Sequence, residues 1–340
     1  MGVAFVLGYR LLEPASNNLE TSVERGASFL DKCDIDAREV LSAFQEDVKK
    51  LRHLLELPGA QERLVLYRAE LMAEGDYDEV VDGADCVMHT AARVTVDAVD
   101  PYKEIVDPAV KGTMNVLKSA AKTKTVKRVV YTSSTAAVFY SDKFVNKSED
   151  DVVDESWWTD PEFCLKIGMY YHMAKTVAER AAFEYAKDAP FDVVSIVPCT
   201  VVGGLLQETV NWSSNEVLRI LQGIERREDN LIIPTNISFV DVEDVALAHI
   251  LAMENPNAEG RYLAVAESLT NEHIALLLAK LYPQYTNVLK PDLKGMDEAT
   301  FNKPVFKFSN EKMRHLGVNF TTIEESVKKT VESLQQLNLL

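Results

Sequence analysis

The chain has 340 residues, 47% apolar and 26% charged, with few glycines and prolines, the balance of a water-soluble globular protein. Such a length can bury one large core, or an α/β core with a smaller substrate-binding lobe. A net charge of −17 argues against nucleic acid and against an anionic membrane as partner, because phosphate fields would repel it.

The first residues, Met1-Gly-Val-Ala-Phe-Val-Leu7, form an apolar run too short for a signal sequence or a membrane span, so the cytoplasm is the expected compartment. Val3 to Leu7 reads as a strand, with Gly8 after it. A dinucleotide-binding fold would continue with Gly-x-x-Gly-x-x-Gly, so that backbone can approach a pyrophosphate at a helix N-terminus. No two glycines here are separated by two or three positions. Gly26-Ala-Ser-Phe-Leu30 is at best a fragment of such a loop. Asp36-Ala-Arg-Glu39 then resembles a capping box, and Val40, Leu41, Phe44, Val48, Leu51 and Leu55 share one helical face. That spacing predicts a long helix where a nucleotide-binding fold has its second strand.

From Asp85 onward, strands alternate with amphipathic helices. Cys86 to Thr90 is a buried strand ending in Ala91-Ala92, and Asp107-Pro108 reads as the N-cap and first position of a helix. Lys127 to Thr132 is the next strand. Ala174, Val177, Ala178, Ala181, Ala182 and Tyr185 line one face of a helix, with Thr176, Glu179, Arg180 and Lys187 on others. Asp192 to Val197 is a third strand, closed by Pro198. This order predicts right-handed crossovers and a doubly wound parallel sheet, with ligands beyond the carboxyl ends of its strands. Three segments fall there: His89 to Arg93, Thr132 to Thr135 and Pro198 to Gly204. Helices are expected at Ser213 to Leu221, Asn271 to Leu281 and Thr322 to Leu334, with a strand-to-helix passage at Phe239 to His249 and a strand at Arg261 to Val265. They suggest a smaller lobe that returns segments to the sheet, with a cleft between lobes.

Chemistry concentrates in Tyr131-Thr-Ser-Ser-Thr135 and Tyr171-His-Met-Ala-Lys175. Tyr171 and Lys175 share a helix face, and an ammonium beside a phenol favours the phenolate. A hydroxyl at a strand end could hold a carbonyl oxygen beside them. Of Ser133 and Ser134 only one side chain can point into a cleft, and Ser134 is the choice. Tyr-x-x-x-Lys alone occurs by chance in many helices; its place after a strand ending in Thr-Ser-Ser gives it weight. His89 and His172, without spaced partners, read as structural, and so does at least one indole of Trp157-Trp158. Glu149, Asp150, Asp151, Asp154 and Glu155 read as a solvated loop. Cys33, Cys86, Cys164 and Cys199 are scattered, which indicates neither a metal site nor a disulfide framework.

From about Val48 onward these segments resemble the extended short-chain dehydrogenase/reductases, also known as the NAD-dependent epimerase/dehydratase family. Within it they look like the dihydroflavonol reductase, anthocyanidin reductase and cinnamoyl-CoA reductase group. Lys49 to Pro58, Tyr67 to Leu71, Arg128 to Ser134, Asp154 to Cys164 and Asn255 to Tyr262 carry the likeness, the Trp-containing stretch most specifically. The resemblance implies a Rossmann-like fold with an atypical first βαβ unit. It also implies Ser134, Tyr171 and Lys175 as the catalytic Ser, Tyr and Lys. Tyr171 would give the proton, Lys175 would hold the nicotinamide ribose, and Ser134 would polarise the carbonyl. Glu70 and Leu71 would lie near the adenine; Thr90, Ala91 and Ala92 under the cofactor; Pro198 and Val201 beside the nicotinamide. Gly204 stands where the group usually has Pro.

The expected organisation is an atypical segment 1–47, a Rossmann-like core 48–200 and a mainly substrate-binding lobe 201–340. The expected function is NADP(H)-dependent reduction, with NAD also possible, of a ketone or aldehyde on a phenylpropanoid- or flavonoid-like small molecule. Alternatives are a steroid or nucleotide-sugar dehydrogenase or epimerase, or a catalytically silent binding protein. The N-terminus admits three explanations: a misassembled gene model, a diverged loop that still binds cofactor, or a scaffold that has lost it. Whether the chain is a monomer or a homodimer is left open.

Overall fold

The computed structural model describes residues 6–11, 38–44, 51–92, 98–148, 150–223, 236–285 and 307–340. The chain forms two compact units, one from Met1–Val145, Trp157–Val197 and Ala246–Tyr262, the other from Asn146–Ser156, Pro198–Val245 and Leu263–Leu340. In chain order the strands are β1 (Val6–Leu11), β2 (Arg38–Phe44), β3 (Leu64–Arg68), β4 (Cys86–His89), β5 (Arg128–Thr132), β6 (Val152–Val153), β7 (Asp192–Pro198), β8 (Thr200–Val202), β9 (Asn236–Asp241), β10 (Gly260–Ala264), β11 (Glu267–Thr270) and β12 (Lys307–Phe308). Single helical turns α1 (Arg52–Leu55), α2 (Ala60–Arg63) and α3 (Asp78–Val81) precede α4 (Asp107–Lys122) and α5 (Asp142–Val145). Then come α6 (Pro161–Ile167), α7 (Tyr170–Ala186), α8 (Trp212–Leu221), α9 (Val242–Glu254), α10 (Asn271–Leu281), α11 (Glu311–Leu316) and α12 (Ile323–Gln336).

The central sheet has the strand order β10-β7-β5-β4-β1-β2-β3. β4, β5 and β7 are parallel neighbours, as the alternation of strands and helices predicts. β1 breaks the pattern, pairing antiparallel with both β4 and β2. Since β2 runs parallel to β3, those two strands share the direction of β4, and β1 alone among these is reversed. The fold is Rossmann-like, with its first unit altered.

Two expectations fail at this edge. Residues 38–44 are a strand, where the apolar spacing predicts a helix through Leu55. Their backbone groups pair with Leu7–Leu11 on one side and Leu64–Arg68 on the other, and this two-sided ladder outweighs a weak helical preference. The described strand is Val6–Leu11, so Gly8, expected to follow the strand, lies inside it, opposite Leu41 and Val87, while Val3 to Phe5 lie outside the described residues. Asp36, Val48 and Gly26 lie outside the described residues, as do Arg93 and Glu149. A third correction concerns α4. Helical backbone already runs from Pro101 through a π-turn at Tyr102–Val106, so Asp107 is no N-cap. The missing N–H of Pro108 is accommodated where that turn widens.

In the first unit Val87, Val129 and Val193, from three adjacent strands, pack with Val116, Leu117 and Ala120 of α4 and Ala182 of α7. Removing such a side chain from water is worth roughly 1.5–3 kcal/mol. The second unit has its own core, in which Val217, Ile220 and Leu221 of α8 meet Ile237 and Phe239 of β9, Ile274 and Leu278 of α10, and Val327 and Val331 of α12. Among the described residues no helix is long and apolar enough to cross a membrane.

Candidate active site

β4, β5 and β7 are parallel, so their carboxyl ends at His89, Thr132 and Pro198 share one edge of the sheet. α7 begins at Tyr170 and places Tyr171 one turn before Lys175 on the same face. The Lys175 Nζ donates to the Thr132 carbonyl at 3.2 Å, which ties the helix to the end of β5. Two residues beyond Thr132, Ser134 caps the turn Thr135–Ala137, its Oγ accepting from the Ala136 N–H at 3.2 Å. Ser134 is half-buried and Tyr171 is 40% exposed. Ser133 goes the other way: it is buried, and its Oγ donates to Glu179 Oε2 at 2.7 Å.

Glu179 is the residue that sequence reasoning missed. It lies one turn past Lys175 and is completely buried, as is Thr176, although both were placed away from the apolar face. The Glu179 carboxylate accepts from Ser133 at the end of β5, from Ser195 Oγ of β7 at 2.6 Å, and from Arg261 Nε of β10 at 3.0 Å. Arg261 in turn donates to the carbonyls of Trp157 at 2.6 Å and Ala137 at 3.3 Å. One buried ion pair thus gathers β5, β7, β10 and the turn that carries Ser134. Buried charges are retained only when paired and hydrogen-bonded on all sides, and here they are. The available signal was a carboxylate among Ala178, Ala181 and Ala182, with an arginine in the Asn255–Tyr262 landmark.

A second arginine closes the opposite end of the strands. Arg128 donates twice to the Asp192 carboxylate, at 2.8 and 2.7 Å, and once each to the carbonyls of Ala252 and Asn255. The bidentate fork joins β5 to β7 while satisfying the orphan carbonyls at the end of α9.

The histidines are structural in setting. His89 is 1% exposed and burial drives its pKa down to about 3, with the Lys175 charge adding to the effect. His172, edge-on to Tyr140 at 4.5 Å, is held down to about 4 by burial. Both rings are neutral at neutral pH. Trp157 is buried beneath Lys143 at 3.8 Å, and Trp158 lies against the Arg261 guanidinium at 3.7 Å. Both indoles pack the loop before α6. Glu155 is not simply solvated either, since it accepts from the Leu263 N–H at 3.1 Å.

The residues expected around a cofactor are distributed as follows. Glu70 is exposed just beyond β3, its N–H bonded to Asp76 at 3.0 Å. Leu71 packs so closely on α4 that a Cβ added to Gly112 would stand 2.6 Å from its Cγ, and its carbonyl accepts from Asn115 at 2.9 Å. Thr90, Ala91 and Ala92 follow β4, each partly buried. These segments lie at the same sheet edge as Thr132, because β3 runs in the direction of β4. In the second unit, Pro198 is buried at the close of β7 and Val201 lies in β8.

A hydroxyl, a phenol and an ammonium near one strand end suit the ribose–nicotinamide end of a dinucleotide. The pyrophosphate end is different. With β1 reversed, Val6 stands opposite His89, so the chain entering β1, and not the chain leaving it, adjoins the carboxyl end of β4. A phosphate loop following β1 would leave from the other edge. Among the described residues no group of three or more His, Cys, Asp or Glu could hold a metal ion.

Comparison with known proteins agrees with this geometry. The NAD dependent epimerase/dehydratase family matches residues 34–266. A cinnamoyl-CoA reductase of Medicago truncatula is 42% identical over 290 residues, covering 85% of each chain. A bifunctional dihydroflavonol 4-reductase/flavanone 4-reductase of Malus domestica is 34% identical over 296 residues, 86% of this chain and 81% of that one. Among solved structures, Gre2 from Candida albicans in complex with NADPH superposes with a TM-score of 0.72 at 26% identity, covering 87% of this chain and 90% of the other. The chain belongs to the NAD dependent epimerase/dehydratase family, in its cinnamoyl-CoA reductase and dihydroflavonol 4-reductase group.

Proposed function

We propose that the chain is an NADPH-dependent oxidoreductase that reduces the carbonyl group of a phenylpropanoid- or flavonoid-like small molecule. The observation that carries this reading is the Lys175 bond to the Thr132 carbonyl, which brings the helix bearing Tyr171 to the strand end that leads into Ser134. The names of the relatives support the substrate class, and the NADPH complex of the structural neighbour supports the cofactor.

The bound cofactor would supply hydride to the carbonyl carbon. Tyr171 gives its phenolic proton to the carbonyl oxygen, leaving a phenolate that the adjacent ammonium stabilises and solvent reprotonates. Lys175 would hold the ribose hydroxyls, and its bond to Thr132 fixes where its charge sits. Ser134 donates to the carbonyl oxygen as negative charge develops there. Glu179 and Arg261 touch nothing that reacts; they hold the turn on which Ser134 sits. Glu70, Leu71, Thr90, Ala91 and Ala92 would flank the adenosine and pyrophosphate portions, and Pro198 and Val201 the nicotinamide.

The test is NADPH oxidation with a cinnamoyl thioester and with a dihydroflavonol, comparing the parent chain with Tyr171→Phe. A loss of about 10²–10⁴-fold in turnover is expected, with NADPH affinity little changed. Equal activity of the two proteins would remove Tyr171 from the mechanism. A second reading, a binding protein without turnover, is favoured by the reversed β1. Calorimetry with NADPH separates the two, since failure to bind at millimolar cofactor would leave only the second.

A further inference from the structure

The second unit contains a cavity of about 250 Å³ lined by Val201, Leu205 and Val242, by the backbone at Gly203 and Gly204, and by the start of α8 from Asn211 to Ser214. Trp212 lines it while remaining 59% exposed. No lining residue is charged, which disfavours phosphates and carboxylates. An apolar cavity of ~150 Å³ holds benzene, so this one has room for an aromatic ring with a short side chain.

The rim of this cavity is fastened by the last helix. The Gly203 N–H donates to Thr330 Oγ1 at 2.8 Å, and the Leu205 N–H donates to Ser333 Oγ at 2.9 Å. Each hydroxyl also donates back into its own helix, Thr330 to the Ser326 carbonyl at 2.9 Å and Ser333 to the Lys329 carbonyl at 3.0 Å. Hydroxyls three apart lie on one helix face, and here that face meets the Gly203 and Leu205 N–H groups. Gly203 adopts φ +127°, and an added Cβ would meet Val242 at 3.0 Å, so the rim takes no side chain at this point without strain. Between the two hydroxyl partners, Gly204 has nothing within 4 Å of its Cβ direction.

We propose that Thr330 and Ser333 are positioning residues for ligand binding, holding the Gly203–Leu205 rim in the shape that takes the ring of a neutral, flat aromatic molecule. The ring would be that of the substrate, so the proposal rests on the function given above. They act through the rim backbone and touch no reacting atom.

The experiment measures calorimetric binding of cinnamyl alcohol, a neutral and unreactive probe, to the full chain without cofactor. It compares the parent with Thr330→Val, Thr330→Ser and Ser333→Ala, and records the thermal midpoint of each. The expected result is at least tenfold weaker binding by Thr330→Val and by Ser333→Ala, with Thr330→Ser within twofold of the parent. In turnover, KM should rise while kcat holds. Unchanged affinity in both hydroxyl-deleting variants would overturn the proposal, as would an equal loss in Thr330→Ser or a parent that does not bind the probe. A parent that binds cinnamyl alcohol but reduces nothing would sink the proposed function and leave this inference standing. A parent that reduces substrate while both hydroxyl-deleting variants keep its KM would do the reverse.

Discussion

The first unit contains two regions built on different terms. Around Ser134, Tyr171 and Lys175, buried ion pairs and hydroxyls join strands distant in sequence, and helix and strand ends meet at hydrogen-bonding distance. At β1 and β2 the ladder is equally continuous, yet the first strand runs the opposite way to its neighbours. Ser134, Tyr171 and Lys175 therefore do not depend on the direction of β1 for their support, whereas a loop following β1 does. One sheet can keep its parallel strand ends in place while its first strand runs the other way.

That contrast can be broken most severely at Glu179. Glu179→Ala leaves Arg261 buried without its counter-charge and should cost about 3–5 kcal/mol. Chemical denaturation would register it, and a change below ~1 kcal/mol would show that the network is not what holds this region. Gly8→Pro attacks the other region. It removes a backbone donor from a strand paired on both sides, and a loss of about 3 kcal/mol is expected. An unaltered denaturation midpoint would mean that β1 contributes nothing to the sheet.

A smaller effect comes from His89, whose pKa is about 3 in the folded chain against 6.5 for a free histidine. Between those values the unfolded chain binds a proton that the folded chain refuses. The stability linked to this ring is therefore complete above pH ~6.5 and is lost as pH falls towards 3. His89→Gln should flatten the decline in thermal midpoint over that window relative to the parent. His172, depressed to about 4, remains in both proteins and cancels in the difference. Parallel declines would refute the assignment. The smallest effects concern two neighbouring glycines. Gly203→Ala should lose about 1–3 kcal/mol through its positive φ and crowding against Val242. Gly204→Ala, which meets nothing, should stay within about 0.5 kcal/mol of the parent.

The sequence made the parallel strands legible because Cys86–His89, Arg128–Thr132 and Asp192–Pro198 are continuous apolar runs bounded by turn residues, the pattern of strands buried on both faces. The placement of Tyr171 and Lys175 on one helix and of Ser134 just past a strand end was legible because helical spacing and strand ends are local properties. Strand β2 was not. Val40, Leu41 and Phe44 fit a helical face as well as a strand, and the deciding partners lie more than twenty residues away, at Leu64–Arg68 and Leu7–Leu11. Glu179 was hidden for a similar reason. A carboxylate on a helix reads as solvated until the arginine that neutralises it, 82 residues later, is seen beside it.

The distance between Glu179 and Arg261 has a consequence for synthesis. A nascent chain that has emerged through Pro198 already contains β5, α7 and β7, with Ser133 and Ser195 available to the carboxylate. The neutralising guanidinium is still about 60 residues from emergence, a delay of roughly 3–12 s at typical elongation rates. Until then the Glu179 carboxylate has no counter-charge with which to be buried, and the turn bearing Ser134 lacks one of its anchors. Anchoring of the turn that carries Ser134 thus awaits a residue within β10, and a truncated transcript ending before Arg261 would yield a chain without that anchor.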